Sequence, residues 1–171
     1  MSVYKRLELT MITGKTLRGA LLLMGLCIGS GAQASCMVVG DSIGVGIGAA
    51  LKGVCQSSAK VGISSIAVAE RVRAGAHWTI ASLGSNDFPR GIGAAQRSQS
   101  EARVRSALVS ASAKAGDHLI LVLPANGARG IVQSWASLKG VRTVSFSPGP
   151  DGIHPRNYNA LGREIQSRIS D

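Results

Sequence analysis

Short apolar runs of strand length alternate with helix-periodic segments about five times along this chain, and almost every run ends on a polar or glycine-rich turn. Cys36–Gly40, Ala59–Val61, Trp78–Leu83, His118–Leu123 and Arg142–Phe146 read as strands. Segments 44–54, 66–73, 100–115 and one beginning near Asn157 read as helices, the last burying Tyr158, Leu161, Ile165 and Ile169. A further short helix around Trp135 falls between the last two strands, and 88–98 reads as loop. Such alternation predicts an α/β fold with a parallel sheet covered by helices on both faces. Every strand then opens its carboxyl end onto one rim, where ligands bind in sheets of this kind. The turns at Ser42, Gly62, Asn86, Asn126 and Asp151 all fall on that rim.

Residues 1–34 read as a secretory leader and are set apart from the fold. Lys5, Arg6, Lys15 and Arg18 precede an apolar run from Ala20 to Ile28, and Ala32-Gln33-Ala34 offers a small-x-small cleavage site. The run is shorter than the roughly 20 residues needed to span a bilayer. Met11 is an alternative start that shortens the charged part. Cleavage after Ala34 leaves 35–171, a length that suits one domain, and places it outside the cytoplasm, periplasmic or secreted.

Removing the four basic residues and one acid of 1–34 from totals of 19 and 9 leaves a net charge of +7. That charge favours an anionic cell-envelope polymer as surroundings. The basic residues are scattered, and no nucleic-acid-binding motif is present. Two cysteines remain, Cys36 and Cys55. In an oxidising compartment an even pair is bridged. A strand rising about 3.3 Å per residue and a helix returning about 1.5 Å per residue bring the pair back together at the bottom of the sheet. No Cys or His pair has ligand spacing, so neither metal nor cofactor is expected.

Two stretches carry chemistry. Gly40-Asp41-Ser42-Ile43 sets a serine on a glycine-flanked turn between strand and helix, where backbone N–H groups point at whatever lies above. Asp151-Gly152-Ile153-His154 sets an imidazole on the loop after the last strand, with an acid positioned to hold its other ring nitrogen. Ser42, His154 and Asp151 then make nucleophile, base and orienting acid. Asn86, with the backbone N–H groups of Gly62 and Ser42, supplies donors for an oxyanion. Gly44-Val45-Gly46-Ile47-Gly48-Ala49 matches a dinucleotide fingerprint loosely, but no acid lies between Asp41 and Glu70 to hold the ribose. The lysine of a phosphate-binding P-loop is also missing.

Taken in order, Gly40-Asp41-Ser42-Ile43, Gly62, Gly84-Ser85-Asn86-Asp87 and Asp151-Gly152-Ile153-His154-Pro155 resemble the four sequence blocks of the SGNH, or GDSL, hydrolase family. The blocks span nearly all of 35–171. Ile43 stands where leucine is commoner, and the glycine block lacks the asparagine that often precedes it. The resemblance implies a flavodoxin-like three-layer α/β/α sandwich, Ser42, His154 and Asp151 as catalytic residues, and Ser42, Gly62 and Asn86 as the oxyanion hole. The expected activity is hydrolysis of short acyl esters, O-acetyl groups on envelope polysaccharide foremost. A longer-chain lipase or thioesterase and a non-catalytic envelope-binding protein on the same fold are the alternatives.

Overall fold

The computed structural model describes residues 36–89 and 91–170; the leader reading of 1–34 lies outside the described residues. Ten elements alternate along it: β1 (Cys36–Gly40), α1 (Ser42–Ala50), β2 (Gln56–Ala59), α2 (Ser65–Arg71), β3 (Trp78–Ser82), α3 (Ala94–Ala115), β4 (Leu119–Val122), α4 (Arg129–Lys139), β5 (Arg142–Val144) and α5 (Tyr158–Ile169). The strands form one sheet in the order β2-β1-β3-β4-β5, with every neighbouring pair parallel. That is the flavodoxin-like order, and its direction of winding reverses between β1 and β3. The crevice at that reversal lies above Gly40 and Ser82, which are paired in register.

The central strands are buried on both faces, which is why β1 and β4 read as continuous apolar runs rather than alternating ones. Val38, Ile80, Ile120, Val122 and Val144 face α1 and α5, packing on Ile43, Ile47, Leu161 and Ile165. Val39, Ala81, Leu121 and Leu123 face the other way, onto Val68 of α2, Val104 and Leu108 of α3 and Val132 of α4. Each fully buried Ile or Leu contributes about 1.5–3 kcal/mol of transfer free energy.

Three sequence expectations are corrected. The second strand runs over Gln56–Ala59 rather than Ala59–Val61. It is a polar edge strand that pairs with β1 alone, so pairing register defines it and β-propensity does not. The segment 88–98 is not all loop, because α3 begins at Ala94; the Gln96 side chain accepts a hydrogen bond from Gly93 N, and Arg97 N donates to Gly93 O. The short helix near Trp135 extends over 11 residues, with Trp135 buried in the core. The rings of His77 and His118 pack 4.9 Å apart at the bottom of the sheet, next to Trp78.

Cys36 and Cys55 are joined in a disulfide. Met37 is opposite Gln56 in the β1–β2 register, so the bridge ties the two strands one residue below their first pair. It lies at the end of the sheet remote from Ser42.

Candidate active site

The turn that carries Ser42 is shaped by crowding. A Cβ on Gly40 would come within 2.9 Å of Gly44 Cα and 3.0 Å of both Ser82 Cβ and Ser82 O, so only glycine lets β1, α1 and β3 meet there. Asp41 follows as the N-cap of α1, its Oδ1 accepting from Ile43 N at 3.0 Å and from the Ser82 hydroxyl at 3.1 Å. One carboxylate therefore caps the helix and fastens it to the neighbouring strand. Asp41 is 1% exposed, and burial pushes its carboxyl above the usual range, against the opposing pull of the hydrogen bond from Ile43. Its Oδ2 has no hydrogen-bond partner among the described residues. Ser42 is then the first residue of α1, half-buried, with its N–H among those a helix start leaves without an intrahelical acceptor.

The loop after β5 delivers the imidazole. Gly149 N donates to His154 O at 2.7 Å, and Arg156 N donates to Ser147 O at 3.0 Å. Pro148 and Pro155 form a bridge beside them, closing the loop on itself. Asp151 folds back inside it: Oδ1 accepts from Ile153 N at 2.9 Å and His154 N at 3.0 Å, while Oδ2 lies 2.6 Å from His154 Nδ1. His154 Nε2 in turn lies 2.9 Å from Ser42 Oγ, a contact between residues 112 apart in the chain. The bond to His154 first, and the two backbone N–H groups after it, hold the Asp151 carboxyl well below the usual carboxylate range. An ionised Asp151 is an acceptor only, so Nδ1 carries the ring proton and Nε2 presents a lone pair to the serine hydroxyl. Tyr158, four residues beyond His154, packs against Gly46 of α1, and burial raises its phenol.

The turn after β3 brings in Asn86. Its Nδ2 donates to Ile63 O at 2.9 Å, which draws the turn against the loop after β2. An amide nitrogen has two hydrogens, so one N–H remains. Gly62, at φ +78° on that loop, is exposed and directly precedes Ile63, whose carbonyl accepts from Asn86. Two residues that the sequence reading gave no such role hold these loops. Asp87 Oδ2 accepts from Ser65 N at 2.9 Å and from its hydroxyl at 2.6 Å, tying the β3 turn to the start of α2. Asn126 Nδ2 donates to Gly84 O and Ser85 O at 3.3 and 2.8 Å, tying the same turn to β4. The signal for both was their polarity at a strand end, but that pattern does not say which carbonyl or hydroxyl lies opposite.

A cleft of about 540 Å³ opens beside these groups, lined by Asn86, Phe88, Ile92, Arg97, Asn126 and Ile153 among others. No group of three or more His, Cys, Asp or Glu among the described residues is arranged to hold a metal ion. Nor is any described helix long and apolar enough to cross a membrane.

Fold and site together define a flavodoxin-like α/β sandwich with a serine–histidine–aspartate chain of contacts at its switch point. No family model and no curated protein matches the sequence. Among solved structures, the chain is similar to a candidate acylhydrolase from Bacteroides fragilis, with 19% identity and a TM-score of 0.56, covering 79% of this chain and 86% of that one. The catalytic domain of peptidoglycan O-acetyltransferase A from Streptococcus pneumoniae also aligns, with 14% identity and a TM-score of 0.49, covering 79% and 89%. At 19% identity the likeness to the acylhydrolase is one of fold.

Proposed function

We propose that this protein is an exported serine esterase of the SGNH type that removes short acyl groups, O-acetyl foremost, from envelope polysaccharide. The observation that carries the reading is the continuous path from Ser42 Oγ to His154 Nε2 at 2.9 Å and from His154 Nδ1 to Asp151 Oδ2 at 2.6 Å. Those distances suit proton transfer from the hydroxyl as it attacks an ester carbonyl. His154 takes that proton and returns it to the leaving sugar hydroxyl, leaving an acetyl group on Ser42. Water, deprotonated by the same imidazole, then releases acetate and restores the serine. Asp151 holds the ring in the required tautomer and offsets its transient positive charge.

The oxyanion of each tetrahedral intermediate is assigned to the N–H of Ser42, the N–H of Gly62 and the remaining N–H of Asn86. Each such donor is worth about 3–4 kcal/mol of transition-state stabilisation. Export rests on the leader sequence and is supported by the Cys36–Cys55 bridge, which belongs to oxidising compartments.

Hydrolysis of 4-nitrophenyl acetate by the purified protein and by Ser42→Ala tests the reading. The expected result is a loss of about 10⁴-fold or more in kcat/KM. Equal rates, or no activity in either protein, would leave the non-catalytic reading. A rate that climbs with acyl length from acetate upward would favour the lipase or thioesterase.

A further inference from the structure

We propose that Arg97 selects esters whose alcohol portion carries a carboxylate, so that the group cleaved is an O-acetyl on an acidic sugar. The proposal rests on the hydrolase reading and narrows its substrate. The cleft of about 540 Å³ is of a size that holds a sugar-sized ligand, and an acetyl group fills little of it. Its lining includes Asn86 and Gly152-Ile153, which directly precede His154, so it adjoins the reacting groups. With a short acyl group, that space is left to the alcohol. Phe88, Ile92 and Ile153 give the cleft apolar walls suited to the apolar face of a sugar ring.

Arg97 is the one charged residue among the described lining residues. It sits on the first turn of α3, exposed, and no carboxylate among the described residues bonds to it. Glu101, one helical turn along, is taken by Arg105 at 2.7 Å. Asp87 holds Ser65 and faces Arg103 at 3.7 Å, and Asp151 holds His154. The first turn of α3 carries no acid either. A guanidinium with no carboxylate bound to it among the described residues, in a ligand-sized cleft, offers a planar fork that matches a carboxylate bidentately.

The test compares acetate release from O-acetylated polygalacturonate and from an O-acetylated neutral glucomannan, at low and high salt. Wild type, Arg97→Gln, Arg97→Lys and Arg163→Gln are measured; Arg163, exposed on α5 across the sheet, controls for the loss of one general positive charge. The expected result is a wild-type preference for the acidic polymer that weakens with salt. The acidic-to-neutral ratio of kcat/KM falls about five- to tenfold in Arg97→Gln, the size of one partly exposed charged pair. Arg97→Lys recovers part of it, and Arg163→Gln keeps the wild-type ratio. A ratio unchanged in Arg97→Gln, or lowered equally in Arg163→Gln, overturns the assignment while leaving the esterase intact. Acetate release that is the same from wild type and Ser42→Ala overturns the esterase itself. Binding of unacetylated oligogalacturonate to Ser42→Ala needs no turnover: the Arg97→Gln substitution added to it weakens binding if the proposal holds and leaves it unchanged if not.

Discussion

Ser42 and His154 face each other across 2.9 Å but are held by opposite means. The serine stands on a turn whose neighbours are the sheet itself: Gly40 has no room for a side chain, Asp41 is 1% exposed, and Ser82 of the next strand bonds to it. The histidine stands on a loop outside the sheet, next to a half-exposed Asp151 that accepts from Ile153 N, His154 N and the ring of His154 in the same loop. Placement of Ser42 is thus a property of the whole fold, and placement of His154 a property of about ten consecutive residues. Damage to the first should appear as lost stability, and damage to the second as lost activity in a protein that still folds.

The largest separation of the two effects is expected at Asp151. Asp151→Asn keeps an acceptor for the two backbone N–H groups but can present its amide to Nδ1, favouring the wrong tautomer. Ester hydrolysis should fall about ten-thousandfold, the order seen when a triad acid is neutralised, while the melting temperature hardly moves. An equal loss of both would mean that the loop leans on the sheet more than its bonds indicate.

The converse is expected at the disulfide. Replacing Cys36 and Cys55 together by Ser removes a bridge of sequence separation 19, which constrains the unfolded chain. The loss should be roughly 3 kcal/mol in chemical denaturation. Because the bridge sits at the far end of β1, kcat/KM measured well below the melting temperature should stay within about twofold, since sites this far apart couple weakly.

The smallest effect is one of pH at Asp41. Burial raises its folded-state pKa above the ordinary value of 3.8, so the folded protein binds this proton more tightly than the unfolded chain does. Its contribution to stability is therefore fully present below pH 3.8 and is lost as pH rises through the raised value. Asp41→Asn keeps an acceptor for Ile43 N and the Ser82 hydroxyl and carries no charge. Its melting temperature should gain on the wild type, by a few degrees at most, as pH is raised from acid to neutral. A difference that does not change with pH would mean that burial does not govern this carboxyl.

How much of this was legible in the sequence divides along the same line. Strands β1 and β4 were readable because burial on both faces leaves an uninterrupted apolar run, β3 because Trp78, Ile80 and Ala81 keep it mostly apolar, and α5 because Leu161 and Ile165 repeat at helical spacing. The edge strand Gln56–Ala59 was not, since its Gln-Ser-Ser-Ala sequence has no burial signature and its place is fixed by pairing with β1. The start of α3 was hidden by glycine and serine, and only the local bond from Gly93 N to Gln96 sets it. In the site, Asp151 and His154 could be joined from sequence because they are three residues apart. The contacts of Asp87 with Ser65 and of Asn126 with the Gly84-Ser85 carbonyls, 22 and about 40 residues away, depend on which loops the sheet order makes neighbours.

The central claim is that Ser42 is an activated nucleophile, and reaction with a serine-directed fluorophosphonate, followed by intact mass and peptide mapping, tests it most directly. The account predicts a single adduct on Ser42, formed about a hundredfold or more slowly in His154→Ala because the base is gone. An adduct on another residue, no adduct, or equal labelling of Ser42 with and without His154 would contradict it.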